Sequence, residues 1–273
     1  MFVLEDTITI MVDKMIYLFC LSFTSHLSAQ MRRPLEFLSA LVAMVLNNSF
    51  YLYGIYLLAI LSTGSNADSM KEYLVSTGMV LIAWGLLNVF AGGLYQLSSI
   101  IETGELETHL AKPLSPLLLV AISKVNLISL GEIFQGIATV IFIGFLYDYE
   151  IALKTLTSSL ILIFGFASIM IFIGSLSFFS SRGSSLSYVI LQVVLSLSLF
   201  PIGNALKGRE KWILYFTPLI MTTFLPHLTA LQEGLSLFIP FFLVTLGMFF
   251  ISMAFFNLGL RQYKTKNYLF LNE

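Results

Sequence analysis

Six long, predominantly apolar stretches, near 35–62, 73–100, 118–147, 154–181, 185–205 and 236–260, leave this chain few ways to fold. The hydrocarbon core of a bilayer is crossed by about 20 apolar residues in a helix, and each stretch has that length. Inside hydrocarbon every backbone N–H and C=O must be bonded within the protein, which restricts crossing segments to helices or closed barrels. Barrel strands read as alternating segments of about 10 residues, whereas these runs are continuously apolar. The expected fold is an all-α integral membrane protein with six transmembrane helices. Composition agrees: 58% of the residues are hydrophobic, 11% are charged and 25 of 273 are Phe, which no ordinary soluble domain shows.

Three regions are expected: a cytoplasmic N-terminus with an amphipathic interface helix (1–34), a six-span membrane domain (35–260) and a cytoplasmic tail (261–273). Before the first span, Ile16, Phe19, Phe23, Leu27 and Met31 share one helical face, while Ser22, Ser25, Ser28 and Arg32 lie towards the other. That pattern suits a helix lying in the membrane interface; a seventh span would carry Asp13, Lys14 and His26 into lipid. The opening Met1-Phe2-Val3-Leu4-Glu5-Asp6 has acids where a secretory leader has bases, so the N-terminus is expected to be retained. With that terminus inside, Lys14, Arg32, Arg33, Lys112, Lys124, Arg182, Arg261, Lys264 and Lys266 are cytoplasmic, against Lys71, Lys154, Lys207, Arg209 and Lys211 outside. Nine against five favours cytoplasmic termini.

Several functions have nothing to stand on. A net charge of −1 argues against nucleic acid as a partner, because phosphate binding needs clustered Lys and Arg. The single cysteine, Cys20, forms no intrachain disulfide, and His26, His109 and His227 lack metal-ligand spacing, so no metal site is expected. No catalytic residue is assigned: Gly174-Ser175-Leu176-Ser177 does not match a serine-nucleophile motif, and no phosphate-binding Gly-rich loop with its Lys is present.

What remains is a handful of polar residues within the spans. Asn47, Asn48, Asn88, Glu132, Gln135 and Gln192 are candidates for lining a translocation path, with Gln96 also in the second span. Amides in such helices also serve as interhelical hydrogen bonds worth about 1 kcal/mol. An acid there is costly and a functional suspect by default, though Lys124 is placed to neutralise Glu132. Between Leu206 and Leu235, a basic cluster is followed by an apolar run broken at Pro218 and Pro226. This run is too broken to span and is expected to form an outer re-entrant hairpin, with Phe216, Leu219 and Phe224 as an outer gate.

Between the second and third spans lies the charged island 101–117. Leu106 and Leu110 share a face, Glu102, Glu105 and Glu107 crowd the start, Thr103 is placed to cap and Pro113 to stop a short helix. With His109 and Lys112, these residues suggest a coupling helix that docks a cytoplasmic partner through its apolar face.

Within the island, Gly104-Glu105-Leu106-Glu107-Thr108-His109-Leu110-Ala111-Lys112-Pro113-Leu114-Ser115-Pro116-Leu117 resembles the Gly-x-Leu-acid-x-x-Leu-x-base-Pro-x-x-Pro-Leu pattern of type-2 ABC exporter permeases, in the daunorubicin-resistance-like branch. Leu199-Phe200-Pro201-Ile202 at the end of the fifth span, and Pro218 and Pro226 in the outer segment, are similar to later features of that branch. Glu107 stands where the family more often has Asp, and Lys112 where Arg is common. The resemblance implies a permease subunit in a bacterial inner membrane, paired with a second permease, identical or homologous, and embedded in lipid. It also implies two ABC-type ATP-binding subunits that hold ATP and Mg2+; no cofactor is expected in this chain. The implied activity is export of a hydrophobic or amphipathic substrate by alternating access. Two other classes stay open on the residues alone: a proton- or ion-coupled secondary transporter using Glu132, and a membrane assembly protein that transports nothing.

Overall fold

The computed structural model describes residues 2–63, 67–180, 183–200, 222, 225–231 and 236–270. Among them there are no strands, only helices joined by short turns. Their order is α1 (Phe2–Met31), α2 (Pro34–Thr63), α3 (Ala67–Ala91), α4 (Leu97–Glu102), α5 (Leu106–Leu110), α6 (Pro116–Ser123), α7 (Leu130–Leu146), α8 (Tyr149–Ser175), α9 (Gly183–Leu199), α10 (Leu225–Leu231) and α11 (Phe238–Phe270).

Local chemistry sets several of these boundaries. Pro34 and Pro116 open α2 and α6, where a missing N–H costs nothing and the fixed φ suits a first turn. Asp148 caps α8: its extended backbone lets Oδ1 accept from Glu150 N at 3.1 Å. Inside α8, Ser159, Ser168 and Ser175 donate back to carbonyls three or four residues earlier, so their hydroxyls are satisfied although fully buried.

Among the described residues five helical stretches are long and apolar enough to cross a membrane: Pro34–Leu58, Met70–Glu102, Leu127–Leu146, Tyr149–Phe178 and Phe238–Tyr263. The expected fifth span is represented by α9, an apolar helix of 17 residues that ends at Leu199. The expected third span, 118–147, is not one helix. Lys124 is extended (φ −131, ψ 126), and Asn126 Oδ1 accepts from Ile128 N to start a 3-10 turn, so α6 and α7 are separate. The second span also changes character, passing through a 3-10 segment at Gly92–Gln96 before α4.

The core is the face-to-face packing of α3 with α7 and α8. Glycine makes the α3–α7 contact close: a Cβ on Gly136 would stand 2.9 Å from Ile82 N, and one on Gly85 3.1 Å from Ser129 O. Helices in lipid gain by such close backbone approach, because hydrophobic exclusion does not drive them together there. Around the core, Trp84 meets Phe166 edge-on with centroids 5.6 Å apart, and α11 packs along α8 through Phe172–Phe255 and Phe164–Phe249. The face of α1 that carries Phe19 and Phe23 turns inward, with Phe19 against Phe90 at 5.8 Å; Ser22 joins it by donating to Ile122 O at 2.9 Å.

Gly136→Ala is expected to force the α3–α7 pair apart at a cost of ~1–3 kcal/mol. Gly54→Ala, which would meet nothing within 4 Å, is expected to be neutral or slightly stabilising. Thermal melting of both variants in one detergent checks this: equal midpoints would show that α3–α7 contact is not the spine of the fold.

Candidate functional site

Four parts of the chain converge on one cavity of about 360 Å3. From α2 come Asn47, Asn48 and Tyr51; from α3, Trp84 and Asn88, with Tyr95 just beyond; from the start of α7, Asn126, Ser129 and Glu132; from α9, Gln192. Five of the six polar residues singled out in the sequence therefore line the same space. Gln135 does not: it is one turn further along α7, donating to Ser49 Oγ at 3.2 Å. Gln96 faces away and binds Lys124 Nζ at 2.7 Å.

Glu132 is 5% exposed, and its Oε2 has no hydrogen-bond partner. Asn48 and Ser129 flank its carboxyl, and Asn48 Nδ2 is also without a partner. Lys124 does not neutralise it. The interruption of the helix at Lys124–Asn126 carries that ammonium to the island, 3.7 Å from Glu105 Oε2, while Glu132 lines the cavity within the bundle. Asn88 Nδ2 donates to Trp84 O at 2.9 Å, and the backbone carbonyl of Asn88 accepts from Asn126 N at 3.2 Å. Tyr51, Trp84, Tyr95, Asn126 and Ser129 were not foreseen. Asn126 carried the usable signal, an amide within an apolar run; aromatic residues in apolar helices carry none.

The other cavities differ in chemistry. One of about 440 Å3 between α8, α9 and α11 is lined by Ile, Val, Leu, Phe and Met with two serines, Ser168 and Ser252, and a smaller one between α7 and α8 by apolar residues with Tyr149. Neither is lined by an amide or a charged group.

The island forms a short helical turn, but its apolar face is inverted relative to expectation. Leu106 is fully buried and belongs to this chain's own core; Leu110 packs against that core, and His109 is buried as well. An isolated five-residue amphipathic turn gains more by closing on its own bundle than by waiting for a partner. Burial, and then the neighbouring Lys112, lowers the His109 imidazole below its usual range, so it is neutral at pH 7. Thr103 is not the cap: it follows α4 and its hydroxyl donates to Ser99 O at 2.9 Å. Gly104, at φ +77, supplies the left-handed turn into α5.

Two island acids tie the helix ends together. Glu102 Oε1 accepts from Ser184 N at 2.8 Å, satisfying an otherwise unpaired N–H in the first turn of α9. Glu107 Oε1 accepts from Tyr263 Oη at 3.3 Å, linking α11. Glu102, Glu105, Glu107 and Lys112 remain exposed.

At the opposite end of α3, His227 of α10 is buried with Nε2 3.7 Å from Glu72 Oε2 and Nδ1 3.3 Å from Ser76 Oγ; next to it Thr229 pairs with Ser158 at 2.8 Å. The expected gate residues Phe216, Leu219 and Phe224, and the basic cluster at 207–211, lie outside the described residues. His26 bonds its own helix at Ser22 O, so the three histidines are spatially separate. Among the described residues no group of His, Cys, Asp and Glu is arranged to hold a metal ion.

Leu106→Asp is expected to abolish accumulation of folded protein, since it places an unpaired charge in the core. Lys112→Glu, on the exposed rim, is expected to leave folding intact. Size-exclusion profiles of the two variants compared with the parent check this, and a well-folded Leu106→Asp protein would contradict the inward packing.

Across these elements the ABC-2 family transporter protein domain matches residues 45–267, most of the chain from mid-α2 into α11. No curated relative matches it. The family is the membrane component of its transporters rather than a catalytic domain, which fits a bundle of apolar helices around a polar cavity. This chain is a multi-pass membrane protein that belongs to the ABC-2 transporter family.

Proposed function

We propose that the chain is the permease subunit of an ATP-driven exporter of the daunorubicin-resistance-like branch. The observation that carries the reading is the convergence of polar side chains from α2, α3, α7 and α9 on one cavity inside an otherwise apolar bundle of this family. Polar groups are costly at membrane depth unless they meet one another, water or a solute. The Gly104-to-Leu117 pattern supports the branch.

In this reading the permease pairs with a second permease, identical or homologous, in a bacterial inner membrane with both termini cytoplasmic. Two ATP-binding subunits that carry ATP and Mg2+ dock on the island. Its exposed Glu105, Glu107 and Lys112 meet the ATPase, while buried Leu106 makes the island rigid with the bundle. A push on the island is transmitted by covalent continuity through α4 towards α3, and by the Glu102–Ser184 bond to α9. Those helices form two of the cavity walls, so ATP-driven closure of the motor alters the cavity directly. Residues 207–235 contribute the outer gate.

Three experiments test this. The permease is expected to co-purify with a P-loop ATPase, and Lys112→Glu to weaken that capture several-fold without altering the permease's melting point. Transport in inverted vesicles is expected to require ATP and to survive collapse of the proton gradient; dependence on the gradient instead would identify a secondary transporter. In a Cys20-free background, a cysteine at 267 is expected to label only from inside and one at 67 only from outside. The opposite labelling would reverse the orientation.

A further inference from the structure

We infer that the cavity holds a solute bearing a protonated amine, with the ammonium against Glu132 and the rest of the molecule between the aromatic and amide walls. The inference rests on the proposal that this cavity is the solute path, and it specifies the chemical class of the solute.

The carboxyl is the starting point. Glu132 is 95% buried, faces the cavity and leaves Oε2 unbonded. Among the described residues no Lys, Arg or His forms an ion pair with it, and none of the residues lining the cavity is basic. Ionising a buried carboxyl without a countercharge costs several kcal/mol, and a cation entering the cavity offsets that cost where a neutral molecule does not. An anionic solute would add repulsion with nothing to offset it.

The walls decide which cation. A hard metal ion is held by carboxylates together with neutral oxygens, whereas a single carboxyl lines this cavity of about 360 Å3 to balance a divalent charge. That volume is in the range of small organic ligands. Trp84 is half-buried and held edge-on by Tyr95 and Phe166, at 87° and 79°, so its indole is a fixed wall rather than a mobile side chain. Aromatic faces attract ammonium groups and apolar skeletons alike. Asn48 and Ser129 stand beside the carboxyl, and with Asn47 and Asn126 on the same walls they suit a polar substituent next to the amine. A neutral polyol could use the amides but would leave the carboxyl uncompensated.

The test uses the full chain in phosphatidylcholine nanodiscs, with no ATPase. The sequence has two tryptophans, so Trp212→Phe leaves Trp84 as the sole reporter. Probes are hexylamine and 2-phenylethylamine, each beside the alcohol of the same skeleton, with methyl glucoside as the neutral polyol. Saturable quenching of Trp84 is read against empty nanodiscs. At least one amine is expected to bind about tenfold tighter than its alcohol, equivalent to ~1.4 kcal/mol. Glu132→Gln is expected to erase that preference and Glu132→Asp to retain it. Equal binding of amine and alcohol, tighter binding of methyl glucoside, absence of saturable amine binding, or an unchanged preference in Glu132→Gln would each overturn the inference. Should Glu132→Gln fail to fold, the amine-to-alcohol ratio in the parent decides alone. An ATP-driven permease without amine preference refutes only this inference. Amine binding by a chain that never captures an ATPase refutes only the exporter reading.

Discussion

In hydrocarbon a helix satisfies its own backbone but cannot solvate a polar side chain, and the arrangement of this bundle follows from that constraint. Hydroxyls bond their own helix, as in α8, and so need no partner. Amides and carboxyls have more donors and acceptors than one such bond satisfies, so even Asn88, whose Nδ2 bonds Trp84 O, must meet other polar groups or enclose a polar space. Asn48, Asn88, Asn126, Glu132 and Gln192 enclose one. The close α3–α7 contact through Gly85 and Gly136 sets the position of Glu132 relative to Asn88, because it fixes the start of α7 against the end of α3.

The helical membrane class was legible because length and continuous hydrophobicity are properties of the chain alone. The path candidates were legible for a related reason: an amide or acid within an apolar run must be turned inward whatever the tertiary detail, and five of the six share one cavity. Three features were not legible. The break at Lys124–Asn126 depends on an Asn side chain competing with the helix for Ile128 N, which hydropathy does not register. The orientation of Leu106 depends on which surface its face meets; periodicity shows that a face exists but not what covers it. Trp84, Tyr51 and Tyr95 look like any other aromatic residues of an apolar helix, and only the fold distinguishes a lining ring from a filling one.

The island illustrates how one segment serves two ends. Its buried Leu106 anchors it, its Gly104 turn lets the chain double back, and Glu102 and Glu107 bind the starts and ends of helices distant in sequence. Surface ion pairs such as Glu105–Lys124 contribute little by themselves. A carboxylate on an unpaired N–H at a helix start is worth more, because both the hydrogen bond and the helix dipole favour it. The stiff connection from island to bundle thus runs through buried Leu106 and the Glu102–Ser184 bond rather than through the Glu105–Lys124 ion pair.

The cavity walls are held unequally. In the span containing α3, 78% of the most apolar window is buried, against 11% for α2. Displacing α3 would open voids against α7 and α8, with the loss of packing that close-fitted helices suffer. Displacing α2 exchanges contacts with lipid for other contacts with lipid, and lipid tails are as apolar as the side chains they touch. The bonds across to α2 are few: Tyr51 with Ser196, Gln135 with Ser49, and Tyr73 Oη with Leu52 O at 2.6 Å. Among the described residues α2 is held on both sides of the cavity: Tyr73 ties Leu52, while Gln135 ties Ser49 and Leu41 and Val45 lie against Gly131, next to Glu132. Widening of the cavity by outward displacement of α2 would therefore break few side-chain bonds and leave the α3–α7–α8 core undisturbed.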